Sequence, residues 1–396
     1  MVTPIIDKFN QVQKSSDGKL GIYLDILHSI NTRSSASLQD LTQFLDQLLT
    51  IQSGFVIIRP VLNEFIKVVD GILDMNIKKL VFEYSVAQVH SLALSFEQQE
   101  GLIREKLANI YESQKEWLQA AKILQGATME SGQRVIPDDY KFKTYIRITK
   151  NLLEDGDTVS AETYLNRSSL LLPRINDKEL KLQYKILSAK ILDYKRKFLE
   201  AAQRYHELSH GSSVDANDKI QCLQAAIICA ILAPAGPARS RFLSTIYKDD
   251  RSPSLSHSFE LLEQIHHNRI IPAEDIKKFE SYLQPHHIAK LSKGITVVSK
   301  AFIEHNLLAV SSIYANIGLD RLGNLLGLDP EDAESFAGTM ISQNRLSGAI
   351  DQIDRVIIFE QGTCLDTLEN WDNNVSNICV QLDDIATIIT TSKLII

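Results

Sequence analysis

The chain has 396 residues, of which 44% are hydrophobic and 23% charged, and its formal net charge is −7 at pH 7. This composition is typical of a globular protein that is long enough for two or three domains. The acidic balance excludes a general electrostatic attraction to nucleic acid or acidic lipid, although a local basic patch remains possible.

The first residues, MVTPIIDKFNQVQK, contain no basic region followed by an apolar run, so we expect no secretory signal. The most apolar segment is AAIICAILA at 225–233, which is far shorter than the ~20 residues of a membrane-spanning helix. Four cysteines have no CxxC spacing and apolar neighbours, which predicts buried, reduced thiols of an intracellular protein. They are Cys222, Cys229, Cys364 and Cys379.

A repeat is visible between about residues 100 and 210. The segments EWLQAAKIL (116–124), DTVSAETYL (157–165) and KFLEAAQRY (197–205) align, which places Ala120, Ala161 and Ala201 at one position. A small residue at a fixed place lets two helices approach closely, and hairpins of this kind stack because none can bury its apolar face alone. The pattern predicts a TPR-like helical-repeat arm. The alternative is an irregular helical bundle.

A break follows at LAPAGPARS (232–240), where proline and glycine indicate a turn between helices. Helical periodicity resumes in SFELLEQIHHNRII (258–271), and again in EDIKKFESYLQPHHIAKL (274–291). These segments lead directly into the next domain.

Residues 307–362 have the pattern of a winged helix, which is helix, turn, helix and two short strands. Gly327 is expected to end the first helix, while Asp329 and Pro330 supply an N-cap and a proline at the first helical position. Residues 311–360 contain eight acidic residues and three arginines. A recognition helix with this charge would repel phosphates, so the surface fits protein contact better than DNA.

The end of the chain carries a heptad seam of apolar residues, typical of a helix that packs against other helices. The seam can fold back on its own domain or join helices of other subunits, and the pattern alone does not decide between them. Its members are Trp371, Val375, Ile378, Leu382, Ile385 and Ile389.

Motifs for catalysis and metal binding are missing from the sequence, which contains no HxH, HExxH, GxSxG or Walker A pattern. We expect no catalytic residue, metal or cofactor. We expect the side chains of two adjacent histidine pairs, His266-His267 and His286-His287, to point apart on helices. Glu263 and His266 form only half of a di-iron motif. His305 fits a capping or core-edge position better than the position of a metal ligand.

The richest basic stretch lies between residues 176 and 197. It is interpreted either as a surface that receives an acidic protein partner or as an ordinary solvated face, and the second interpretation is favoured. The candidate residues for a partner-facing surface are Lys181, Lys185, Lys195, Arg196 and Lys197.

Three segments resemble the PCI family, which is named after the proteasome lid, the COP9 signalosome and a translation initiation factor. They are AAIICAILAPAGPARSRFLSTIYKDDR (225–251), FIEHNLLAVSSIYANIGLDRLGNLLGL (302–328) and MISQNRLSGAIDQIDRVIIFE (340–360). The resemblance covers roughly the whole chain and implies a mostly α fold. The expected domains are a helical-repeat arm at 1–194, a PCI domain at 195–362 and a C-terminal helical tail at 363–396.

Within the family, the resemblance implies a non-catalytic scaffold subunit of the COP9 signalosome, which removes a ubiquitin-like modifier from cullins. The expected partners are other PCI subunits, metalloprotease-fold subunits and a cullin–RING ligase, in cytoplasm and nucleus, with no specific nucleic acid and no membrane. The zinc centre is expected in another subunit. Wing residues expected at a subunit interface are Leu346, Ile350, Val356 and Ile358. The alternatives are a proteasome-lid scaffold subunit and a nucleic-acid-binding winged-helix protein.

Overall fold

The computed structural model describes residues 19–31, 38–50, 55–90, 93–127, 136–211, 215–290, 295–360 and 364–391. The chain divides into two compact units, Met1–Ile191 and Leu192–Ile396. The predicted fold class is confirmed, since helices dominate both units and one small sheet lies in the second.

The first unit is built entirely of helices in its described part. Its apolar core is formed mainly by the first six helices, and further along each helix packs against the next, α5 on α6, α6 on α7 and α7 on α8. The helices are α1 Lys19–Asn31, α2 Leu38–Thr50, α3 Phe55–Asp70, α4 Met75–His90, α5 Ala93–Ser113, α6 Trp117–Gln125, α7 Asp138–Asp155, α8 Thr158–Ser169 and, continuing into the second unit, α9 Lys178–Tyr194.

The repeated alanines lie where the sequence predicts close helix packing. Ala120, Ala161 and Ala201 are fully buried, each near the start of the second helix of a hairpin. Five residues before each alanine, the backbone adopts a positive φ: 62° at Lys115, 93° at Gly156 and 62° at Arg196. The same turn therefore recurs with the same spacing, which confirms the helical-repeat interpretation.

The second unit begins with helices and ends with a winged helix followed by a long terminal helix. Its helices are α10 Phe198–Ser209, α11 Ala216–Leu232, α12 Pro237–Tyr247, α13 Ser256–His266, α14 Ala273–Glu280, α15 Val297–Ile313, α16 Leu319–Leu326, α17 Pro330–Ser342 and α18 Cys364–Thr391. The helix expected over 274–291 is shorter than predicted, because residues 281–288 form turns. Pro285 accounts for this, since proline disfavours a helical backbone at the residue before it.

The winged helix contains a three-stranded antiparallel sheet of β1 Asn316–Gly318, β2 Gly348–Asp351 and β3 Val356–Phe359. The strand order is β1-β3-β2, so β3 is the central strand. Ile357 pairs with Ile317 on one side and with Ile350 on the other. Ile317 and Ile357 point into an apolar core shared with α15, α16 and α17, and this core fixes the register of the sheet.

Candidate interaction surfaces

The second helix of the winged helix, α17, presents acidic side chains at its N-terminus. Asp329 occupies the N-cap position and Pro330 the first helical position, as predicted, but the carboxylate of Asp329 makes no capping hydrogen bond. Its contribution is electrostatic, because negative charge is favourable near a helix N-terminus. Glu331 is exposed, while Glu334 accepts a hydrogen bond of 2.7 Å from Gln352 in the wing. This surface is negative at the position where a DNA-binding winged helix needs positive charge.

The wing residues differ in what they can present to a partner. Leu346 is buried in the domain core, so its side chain packs internally, and Ile350 is half-buried against the same core. Val356 and Ile358 lie on the central strand, which has no free hydrogen-bonding edge. The open edges belong to β1 and β2 instead. Ile358 nevertheless points outward with 48% of its surface exposed, and an interface role for these residues stays a prediction.

A buried ion pair holds the winged helix to the segment around Pro234. Glu304, on α15, is 3% exposed and accepts hydrogen bonds from Arg345, whose Nη2 lies 3.2 Å from Oε1. The Arg345 Nη1 also donates to the Ala235 carbonyl at 3.1 Å. Arg239 is buried as well, and it donates to the carbonyl oxygens that end α11. The sequence did not reveal this network, because its members lie far apart along the chain.

The terminal helix α18 carries its apolar seam on the surface of the described chain. Every seam side chain, from Trp371 at 65% to Val375 at 38%, is exposed. No seam side chain is buried against the described part of the chain, which favours the alternative that the seam joins helices of other subunits. This interface role stays a prediction. An amphipathic helix of 28 residues with this stripe is suited to pack against other helices.

The basic residues singled out in the sequence fall into two groups. Lys181 and Lys185 lie one turn apart on α9, whereas Lys195, Arg196 and Lys197 form the turn that follows α9. Arg196 has the left-handed backbone of that turn, and Lys197 is the N-cap of α10 with its Nζ 3.6 Å from Glu200. Part of this basic stretch therefore has a structural role, and its partner-facing role stays a prediction.

Two expectations about histidine and cysteine are wrong. His286 and His287 do not point apart, because they lie in the turn after α14 and both contact Asp193. Cys229 is buried and burial raises the pKa of its thiol, but Cys379 is exposed on α18 because that helix has no cover. The side chain of Cys364 lies outside the described residues.

His305 is buried within α15, as the core-edge interpretation expects. Its Nε2 lies 3.0 Å from the Arg269 carbonyl oxygen. Burial, and then the positive charge of Arg239, lower the pKa of His305 to about 4. Its imidazole is therefore neutral near pH 7.

In the described part of the chain, no helix is long and apolar enough to cross a membrane.

Family models and curated proteins both match the chain. The model described as PSMD12/CSN4, N-terminal, matches residues 10–217, and the PCI domain model matches residues 276–361. The chain is 39% identical to COP9 signalosome complex subunit 4 of Emericella nidulans, over 99% of this chain and 98% of the relative. It is 40% identical to subunit 4 of Arabidopsis thaliana over 93% of each chain, and 38% identical to subunit 4 of Drosophila melanogaster over 92% of this chain and 88% of the relative.

A helical-repeat arm, a winged helix with an acidic face and an uncovered terminal helix define a PCI protein of the scaffold class. Within that class, the near full-length identity of about two residues in five decides the assignment. The chain belongs to the family of COP9 signalosome complex subunit 4.

Proposed function

We propose that this chain is a non-catalytic scaffold subunit of a COP9 signalosome. The observation that carries the proposal is the uncovered seam of α18 on a chain whose relatives are subunits of that complex. Six large apolar side chains contribute ~1.5–3 kcal/mol each when they are buried, which is on the order of 10 kcal/mol before ordering costs. A subunit with this seam is stabilised by partner helices.

The winged helix supplies a second assembly surface in this proposal. Its sheet leaves β1 and β2 with one unpaired edge each, and an open edge favours the addition of a strand from a neighbour. Ile350, Val356 and Ile358 would flank the contact, with other PCI subunits and metalloprotease-fold subunits as partners. The acidic face of α17 makes specific binding of nucleic acid unfavourable.

In this proposal, another subunit carries out the chemistry of the complex. The assembly removes a ubiquitin-like modifier from cullins in cytoplasm and nucleus, with its zinc metalloprotease centre in another subunit, since this sequence contains no HxH. In this proposal the arm, residues 1–194, contacts a cullin–RING ligase, and residues 195–362 form the PCI domain. Lys181 and Lys185 are suited to contact an acidic surface of the ligase. Residues 363–396 form the tail that joins other subunits in this proposal.

The test compares two charge-matched double variants of the full chain. Ile378→Asp with Leu382→Asp places two charges on the seam, whereas Asn373→Asp with Asn377→Asp places two charges on the other side of α18. Each tagged chain is expressed in its native cells, purified gently and analysed for copurifying proteins. We expect the seam variant to lose the other subunits and the control to retain them.

The same eluates are assayed for removal of the modifier from cullin, with and without a zinc chelator. Chelator-sensitive activity that follows the copurifying subunits supports the proposal. Equal recovery of the complex by both double variants contradicts the role of the seam. Proteasome particles in the wild-type eluate would support a proteasome-lid scaffold subunit instead. Bound nucleic acid whose affinity depends steeply on salt would support a nucleic-acid-binding winged-helix protein.

A further inference from the structure

A cluster of two imidazoles and one carboxylate lies in the second unit, outside the surfaces described above. Asp193, near the end of α9, accepts from both rings of the turn that follows α14. The Nε2 of His286 lies 3.2 Å from Oδ2, and the Nε2 of His287 lies 2.8 Å from Oδ1. The candidate ligand atoms all lie within 4.8 Å of one another.

We propose that Asp193, His286 and His287 form a structural site for Zn²⁺. Imidazole nitrogens and a carboxylate oxygen are ligands that zinc takes in proteins, at about 2.0–2.2 Å from the ion. Two such ligands in tetrahedral geometry lie about 3.3 Å apart. The two nitrogen–carboxylate distances, 3.2 and 2.8 Å, lie within about 0.5 Å of that spacing. All three candidate ligand atoms lie within 4.8 Å of one another, so the rings would have to move to surround an ion.

The surroundings hold these groups in place. The ring of His286 stacks on Tyr194 with centroids 4.2 Å apart, and the ring of Phe198 meets His287 edge-on at 6.1 Å. The buried thiol of Cys229 lies beside Asp193. Partners that orient a ligand in this way are typical around bound metals. Since Asp193 and His287 are 6% and 4% exposed, a substrate has little access to the cluster. Three protein ligands would leave the fourth position of a tetrahedral ion to water.

The protonation of the cluster is compatible with a cation. The carboxylate of Asp193 lies within hydrogen-bond distance of both imidazoles, so a negative group and two nitrogen ligands face one another. Without an ion, the Nε2 of each ring donates its proton to Asp193. Zn²⁺ would take the place of those protons, and each ring would then coordinate through Nε2 with its proton on Nδ1. The Nδ1 of His287 has no hydrogen-bond partner among the described residues.

A second cluster in the same unit provides an internal control. His206, His210 and Asp249 also bring their ligand atoms together, with the Nε2 atoms 3.9 and 3.8 Å from Asp249. Here, however, the guanidinium of Arg251 donates to Asp249 at 2.6 Å and approaches the Nε2 of His210 at 3.2 Å. A cation of the chain already occupies that position, so we do not expect zinc to bind there.

The experiment titrates the purified, chelator-treated full chain with Zn²⁺ in competition with a chromophoric chelator. We expect one ion per chain and a higher melting temperature with the ion present. Asp193→Asn and His287→Gln should each weaken binding by on the order of 100-fold. The double variant His206→Gln with His210→Gln should bind as the wild type does. Circular dichroism checks that each variant is folded.

The proposal is overturned by the absence of stoichiometric binding, or by folded Asp193 and His287 variants that bind zinc as tightly as the wild type. Loss of binding in the His206 and His210 double variant alone would place the ion in the other cluster. If the variants of the proposed site do not fold, Co²⁺ added to the wild-type chain decides the question. Saturable visible absorption at one equivalent is then expected, and its absence contradicts the site.

Discussion

At the scale of single residues, the turns inside the arm's hairpins show where the backbone constrains the side chain. Gly156 has a φ of 93°, a conformation that glycine adopts easily and that costs other residues about 1–2 kcal/mol. A Cβ added at Gly156 would have no heavy atom within 4 Å among its neighbours. Any loss of stability at this position is therefore due to the backbone alone.

We expect Gly156→Ala to lower the free energy of unfolding by about 1–2 kcal/mol. The matched control is Lys115→Ala, in the equivalent turn of the preceding hairpin, where a residue with a Cβ already has a φ of 62°. Since the control adds no new strain, its unfolding in urea should differ little from that of the wild type. Equal destabilisation by both substitutions would show that the side chain at Lys115 matters more than the turn.

His305 makes stability depend on pH. Its pKa is lowered from 6.5 to about 4 by burial and by the charge of Arg239, so the unfolded chain binds a proton that the folded chain does not. The stabilisation is present above pH 6.5 and is lost as the pH falls toward 4. Burial also lowers the pKa of His206, which acts in the same direction.

Between pH 7 and pH 5, we expect the free energy of unfolding of His305→Gln to fall by about 2 kcal/mol less than that of the wild type. Glutamine can still donate a hydrogen bond to the Arg269 carbonyl, but it does not titrate. His28→Gln is the control, because His28 is exposed. Urea unfolding at the two pH values measures the difference, and an unchanged pH dependence in His305→Gln would contradict the assignment.

At the scale of elements, local signals in the sequence predicted the helices well. Gly327 ends α16 with a φ of 67°, and the α17 start at Asp329-Pro330 lies where expected. These features depend on neighbours along the chain. The Glu304–Arg345 pair and the convergence of His286 and His287 on Asp193 depend on residues about 40 to 90 positions apart, which no local pattern contains. The same holds for the order of the strands.

The central position of β3 yields a prediction that separates folding from assembly. Ile357 is fully buried in the winged-helix core, whereas its neighbour Ile358 is 48% exposed on the other face of the sheet. We expect Ile357→Asp to unfold the winged helix, because it buries an unpaired charge. Ile358→Asp should keep the melting temperature but reduce recovery of partner subunits. Thermal unfolding combined with copurification measures both effects, and equal loss of stability in the two variants would exclude an interface role for Ile358.

At the scale of the whole molecule, the described chain leaves its proposed assembly surface, the seam of α18, outside its own core. The exposed α18 seam contributes little to the stability of the isolated chain, because each of its side chains keeps at least 38% of its surface accessible. Its apolar area becomes stabilising only when a partner covers it. In the proposed assembly, helices of other subunits would bury this last helix.

Removal of 363–396 tests this dependence directly. We expect the truncated chain to lose helical content in circular dichroism, since α18 spans 28 residues, while the melting temperature of the remaining fold changes by no more than about 2 °C. Its recovery of partner subunits should fall sharply, since burial on the order of 10 kcal/mol before ordering costs is lost. A marked drop in the melting temperature would mean that α18 packs on the PCI domain. Assembly like that of the wild type would mean that the sheet edges suffice to hold the subunit.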